Sequence, residues 1–202
     1  MKTIDFDSNT FIAGIMIDHK ICDDLIERHK EDDNKECGTV YDEKSGKNVD
    51  KNFKASTDLT INPYDDDSRV QNYLKTLNDL IYFYEQKYRY ANDLVAYNII
   101  ENFNVQHYKK GEGFKQWHFE SNGVFPSSRR LFAFMTYLND VPDGGTKFYH
   151  QNITTPAIKG LTIMWPAQWT HVHKGQISYT SEKYIATGWF SYTNLEKFIG
   201  KF

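Results

Sequence analysis

From Leu94 to Tyr192 the chain is cut into strand-length apolar segments by a series of turn signals, and this alternation limits the fold more than any other feature. The candidate strands are Leu94–Tyr108, Arg130–Leu138, Thr146–Tyr149, Leu161–Trp165 and Lys183–Tyr192. Between them lie Lys110-Gly111-Glu112-Gly113, Asn139 to Gly145, Pro156, Lys159-Gly160 and Lys174-Gly175. These residues supply unusual backbone angles or remove a backbone donor. Aromatic residues make up 16% of the chain, and in this half they stand beside β-branched ones, a mixture suited to pleated, half-buried surfaces.

The first half reads differently. Residues 1–17 read as an opening strand whose apolar part is Phe11 to Ile17. Asp18 is placed to cap a helix running to about residue 30, with Ile21, Cys22, Leu25 and Ile26 at helical spacing. Residues 31–55 are dense in Asp, Lys, Asn and Gly and predict a solvated loop or short hairpin. Ser68 with Gln71 matches a capping box, and Val70, Tyr73, Leu74, Leu77, Leu80, Ile81, Tyr84 and Tyr88 then trace one apolar stripe. That helix is expected to pack on the outside of the sheet. Helices followed by a run of strands predict an α+β domain built on a double-sheet jelly roll. One domain over 1–202 is expected, with 1–93 as helical support and loop region and 94–192 as the core.

Several classes are disfavoured. A net charge of −3 gives no sign of the basic surface that nucleic-acid binding requires. Two cysteines, Cys22 and Cys37, form no zinc-type pair and suggest no disulfide framework. The segment MKTIDFDSNT is too polar for a secretory signal, and no apolar run approaches a membrane span. A soluble, cytoplasmic protein with no membrane partner is the expectation.

Chemistry concentrates in a few histidines. His118-Phe119-Glu120 puts an imidazole and a carboxylate on one face of an extended segment, able to grip one metal ion from one side. By itself the motif is weak, since a structural histidine beside a surface glutamate reads the same. A third ligand must come from elsewhere, and Trp169-Thr170-His171-Val172-His173 offers one. Two histidines and a carboxylate on one face leave three octahedral positions open, the facial triad of non-haem Fe(II) oxygenases. In Lys183-Tyr184-Ile185-Ala186-Thr187-Gly188-Trp189, Lys183 and Trp189 share a face. A lysine aimed into an aromatic interior calls for an anion; the alternative is an edge lysine reaching water.

Together these residues resemble the prolyl-4-hydroxylase-like branch of the 2-oxoglutarate/Fe(II)-dependent dioxygenases. The resemblance covers about residues 94–192. It runs through Val105-Gln106-His107-Tyr108 with its glycine turn to Phe114, then His118-Phe119-Glu120. Thr136-Tyr137-Leu138-Asn139-Asp140-Val141 follows, leading to Gly144-Gly145-Thr146-Lys147-Phe148, and last come His173 and Lys183. It implies iron held by His118, Glu120 and His173. The family's spacing to the basic residue selects His173 over His171, which stays the second choice. It further implies Lys183 on the far carboxylate of 2-oxoglutarate, with Tyr108, Thr136 and Trp189 lining the cosubstrate pocket. Parity sets Phe132, Phe134, Thr136 and Leu138 on one face, which reads as the inner row with Thr136 as its polar member. One departure stands out: the family usually has His-x-Asp, and Glu120 adds a methylene, about 1.5 Å of reach.

The implied activity is hydroxylation of a peptidyl proline or other side chain, consuming O2 and 2-oxoglutarate, with ascorbate as a reductant. A small-molecule substrate, or a non-catalytic jelly roll that binds a ligand, remain the alternatives. Trp117, Phe119, Arg129 and Arg130 flank the expected mouth, over which the Asp42–Lys54 loop has the length to fold.

Overall fold

The computed structural model describes residues 2–42, 46–94 and 96–193. The opening segment is two short antiparallel strands, β1 (Lys2–Ile4) and β2 (Ala13–Met16), rather than one. A 3-10 turn at Ser8–Thr10 separates them, and Phe11 closes it in the left-handed region at φ 53°. Helix α1 (His19–Glu31) starts as expected, with the Asp18 carboxylate accepting from the Lys20 N–H at 2.9 Å. Helix α2 (Ser68–Lys87) starts one residue out of the expected frame. Asp67 is its cap, accepting from the Arg69 N–H at 2.8 Å, while the Gln71 side chain turns back to the Asp65 carbonyl. Asp67 also holds the Arg69 guanidinium, an ion pair that Ser68 has no charge to make.

The strands that build the two main sheets with β1 and β2 are β3 (Thr57–Ile61), β4 (Phe103–Tyr108), β5 (Arg130–Tyr137), β6 (Val141–Phe148), β7 (Ile153–Ala157), β8 (Leu161–Pro166), β9 (His173–Gly175) and β10 (Lys183–Tyr192), beside shorter pieces. The large sheet runs β1-β2-β8-β5-β10-β4-β3 and ends on the short strand Glu36–Cys37, with every pairing antiparallel. A smaller sheet runs β7-β6-β9. Pro156, expected to mark a turn, lies inside β7; that strand is an edge, where a residue without an N–H costs no ladder bond. Strand β6 begins earlier than expected, at Val141, because the stretch up to Thr146 is accommodated by a register shift against β7.

The large sheet is buried on both faces. Val70, Tyr73, Leu77, Leu80 and Tyr84 of α2 pack onto Phe103, Phe132 and Phe134, with Tyr84 and Phe132 ring centres 4.8 Å apart. The opposite face meets the small sheet through Met135, Tyr137, Ile163 and Trp165 against Val141 and Phe148. Within 31–55, Val40–Asp42 pairs with Gly46–Asn48, and Lys54–Ala55 pairs with Gly113–Phe114. Part of the expected covering loop, residues 43–45, lies outside the described residues. Cys22 is buried and Cys37 exposed, both as free thiols. Among the described residues no helix is long and apolar enough to cross a membrane.

Candidate metal and cosubstrate site

A cavity of about 830 Å³ opens between the two sheets, and the histidines meet in its wall. His118 and His173 form an isolated antiparallel bridge, exchanging backbone hydrogen bonds of 3.0 and 2.8 Å. Each ring then donates Nδ1–H to the carbonyl two residues back: His118 to Gln116 at 3.1 Å, His173 to His171 at 2.9 Å. A carbonyl can only accept, so these bonds fix the tautomer and leave both Nε2 lone pairs free. Phe114 stacks on His118 with ring centres 3.8 Å apart, and Phe148 and Trp165 flank His173.

Glu120 Oε1 lies 3.5 Å from His118 Nε2 and 3.4 Å from His173 Nε2, and the three donors fall within 4.8 Å of one another. Neighbouring ligands bonded at about 2.1 Å around one octahedral ion lie about 3 Å apart, so the two carboxylate–imidazole separations need only slight contraction to close on a metal. Burial by itself would raise the Glu120 carboxyl, but the two imidazoles outweigh it and hold the group well below the usual carboxylate range. Burial and the neighbouring His118 together lower His173, which favours the neutral ring that ligates. His171 is turned away from this cluster: its Nε2 bonds the Thr10 carbonyl at 2.9 Å and its Nδ1 meets Thr170.

Lys183 stands opposite Tyr108 in the β10–β4 register, and both line the cavity. The lysine is only 5% exposed, and its hydrogen-bond partners among the described residues are the Gly144 and Gln176 carbonyls at 3.1 and 2.8 Å. Burial brings its ammonium down to about 8, opposed by the charge of Asp143. A Cβ at Gly144 would sit 2.4 Å from Val141 Cγ1 and 3.3 Å from Lys183 Cδ, so glycine is what lets this turn close on the lysine. The Tyr108 hydroxyl, expected to face the oxoacid, donates instead to Gln106 at 2.6 Å. Gln106 in turn reaches Asp58, which Lys54 and Ser56 also hold. The indole N–H of Trp165, another wall residue, is buried without an acceptor among the described residues. Iron and a dicarboxylate therefore fit what is present: a preset three-donor cluster, and a buried cation with only neutral partners.

Thr136 is a correction. Its hydroxyl is fully buried on the helix side of β5, bonded to Tyr73 and Thr162 at 2.9 Å each, and it does not line the cavity. Met135 and Tyr137 face the cavity in its place, with the Tyr137 hydroxyl 2.8 Å from Thr146. Phe132, Phe134 and Thr136 do share a face, but that face packs on α2. Thr136→Val should therefore leave 2-oxoglutarate dependence unchanged and cost about 1–3 kcal/mol in urea unfolding, because two hydroxyls lose a buried partner. A raised cosubstrate requirement would return Thr136 to the pocket.

Of the residues expected at the mouth, Trp117 and Phe119 line it and are 40% and 38% exposed. Arg130 lines it as well, whereas Arg129 is spent on the Tyr192 carbonyl. Phe53 and Lys54, at the end of the expected covering loop, also reach the wall. Lys54, Asp58 and Gln106 also line the wall; the odd-numbered face of β10 points to their side, but nothing in the local sequence marks Lys54 as buried. Trp189 lines the cavity and donates its Nε1–H to Glu120 Oε2 at 2.8 Å.

Residues 103–191 match the sequence profile of the 2OG-Fe(II) oxygenase superfamily. The matched stretch, a 2OG-Fe(II) oxygenase domain by that profile, contains His118, Glu120, His173 and Lys183. Among solved structures the chain is similar to the viral collagen prolyl hydroxylase of Paramecium Bursaria Chlorella virus-1 in complex with 2OG, at 18% identity and a TM-score of 0.67, covering 91% of this chain and 97% of that one. A Pseudomonas putida prolyl-4-hydroxylase follows at 12% identity and 0.65, covering 93% and 99%. A Trichoplax adhaerens prolyl hydroxylase in complex with a hypoxia inducible factor peptide fragment gives 13% and 0.68, covering 91% and 84%. These likenesses are of fold. No curated protein matches the chain in sequence.

Proposed function

We propose that this chain hydroxylates a side chain of a polypeptide, with peptidyl proline as the first candidate. His118, Glu120 and His173 hold Fe(II), and Lys183 pairs with the far carboxylate of 2-oxoglutarate. Residues 94–192 form the catalytic core, a double-stranded β-helix, on helical support from 1–93. The observation that carries the reading is Lys183: a buried ammonium with two carbonyl partners, in the same cavity as a converged pair of histidines and a carboxylate. When bound, Fe(II) and 2-oxoglutarate supply the oxidising chemistry, in which O2 is consumed, succinate and CO2 form, and one oxygen atom enters a substrate C–H bond.

The protein's own residues bind, orient and exclude water. Lys183 sets one end of the dicarboxylate through a charge-assisted bond in a dry pocket. The Gln116 and His171 carbonyls hold the two rings in the ligating tautomer. A polypeptide is favoured over a small molecule by the aromatic rim. Phe53, Trp117, Phe119 and Phe125 line the cavity and are 44%, 40%, 38% and 73% exposed, a surface a chain can lie across. A neighbour of the same fold was solved with a peptide.

The test is succinate formation by the purified chain with Fe(II), ascorbate and 2-oxoglutarate, with and without proline-containing peptides. Expected are slow uncoupled turnover, stimulation by peptide, and a peptide mass gain of one oxygen atom. Stimulation by small molecules alone would move the substrate class, and no turnover under any condition would leave a binding protein on an oxygenase fold.

A further inference from the structure

The two oxygens of Glu120 have separate surroundings. Oε1 faces the histidine nitrogens at 3.5 and 3.4 Å. Oε2 accepts from Trp189 Nε1 at 2.8 Å and lies 3.8 Å from Arg130 Nη1. Arg130 is itself held on three sides. Its guanidinium lies 3.4 Å over the Trp189 ring, its Nε and Nη2 grip Glu101 at 3.1 and 2.8 Å, and its Nη1 donates to the Glu120 carbonyl at 3.2 Å. Glu101 also accepts from Ser191, two residues beyond Trp189 on the same strand. The glutamate is thus gripped at its backbone and at one carboxylate oxygen by a single connected group.

We propose that Trp189 and Arg130 are positioning residues that make Glu120 a one-oxygen metal ligand. A glutamate arm has one more torsion than an aspartate and can swing both oxygens onto a metal, taking a coordination position that cosubstrate or O2 needs. The Trp189 N–H occupies Oε2 and so keeps only Oε1 directed at the histidines, while the stacked Arg130 fixes the indole plane. The longer side chain is matched to this arrangement: an aspartate, about 1.5 Å shorter, cannot reach both the indole and the metal position. The site is built around glutamate. This rests on the reading of His118, Glu120 and His173 as metal ligands.

The experiment titrates the full chain with Co(II) and follows visible absorption and affinity, without turnover. Wild type should take up one equivalent with a ligand-field spectrum. Trp189→Phe, which keeps an aromatic ring for Arg130 and removes the N–H together with the five-membered ring, should bind about tenfold or more weakly, the usual scale for a lost outer-shell partner, with an altered spectrum. Glu120→Asp should lose affinity in the wild-type background and lose much less in the Trp189→Phe background, because the two changes break one interaction. A Trp189→Phe protein with wild-type affinity and spectrum would overturn the clamp and leave the metal site standing. Failure of the wild type to bind Co(II) would remove both. Should Trp189→Phe not fold, Glu120→Asp alone decides: unchanged or tighter Co(II) binding refutes a site fitted to glutamate.

Discussion

Replacing His173 with alanine is expected to abolish Fe(II)-dependent succinate formation and to erase any rise in Tm on adding Mn(II) or Co(II). His173 supplies one of three converging donors, and its loss should exceed the ten- to hundredfold penalty typical of outer-shell changes. A metal that binds only the folded chain stabilises it by mass action, so the thermal shift reads occupancy independently of turnover. His171→Ala is the informative partner. The His171 side chain bonds the Thr10 carbonyl and Thr170, so its removal costs stability. The group that orients His173, however, is the His171 backbone carbonyl, which alanine retains. Metal binding should therefore survive in His171→Ala and vanish in His173→Ala; the reverse pattern would reassign the ligand.

Lys183→Ala is expected to raise the 2-oxoglutarate KM by about thirtyfold to several hundredfold, equivalent to about 2–4 kcal/mol, with a smaller effect on kcat at saturation. Without the lysine, the carboxylate of the proposed pairing would enter a pocket whose groups nearest the Nζ position are carbonyl oxygens and the Tyr108 ring, 5.3 Å from Nζ. The same lysine predicts a pH dependence. Burial places its ammonium at about 8 against the upward pull of Asp143, and burial keeps the Tyr108 hydroxyl neutral well above that range. In the proposed pairing the charged form binds the dicarboxylate, so KM should be flat below this pKa and climb as pH rises through it. A KM series between about pH 7 and about pH 9.5 checks this, and the rise should be absent in Lys183→Ala. A KM unmoved by the substitution would take Lys183 out of the cosubstrate site.

How far the site was legible in the sequence follows from what each element packs against. The i, i+2 spacing put His118 and Glu120 on one face of an extended segment, and the pleat of β10 put Lys183 and Trp189 on another; both are properties of the local backbone. Strand β5 defeated the same reasoning. Its sequence, Arg130-Leu-Phe-Ala-Phe-Met-Thr-Tyr137, is nearly apolar throughout because helices cover one face and the small sheet the other. Alternation then yields two rows but does not say which one borders the cavity. The polar Thr136 looked like a marker of the functional face; its partners are Tyr73 on α2 and Thr162 on β8, contacts no local pattern could announce.

The 31–55 segment shows the same limit. Its composition predicted exposure, yet Lys54 is 5% exposed, paired with Asp58 in the cavity wall. A charged residue reads as solvated until its counter-charge is located in space. What the sequence determined by itself was a strand-rich α+β chain, its two supporting helices, and the spacing of His118, Glu120 and Lys183, since all of these are set by backbone periodicity over a few residues. The resemblance implied His173 over His171 by spacing, and the fold turns His173 to the cluster; tertiary structure alone decided that Thr136 belongs to the helix side and that Glu120 is held by Trp189 and Arg130. Each of those depends on which distant element covers a given face, and periodicity carries no information about that.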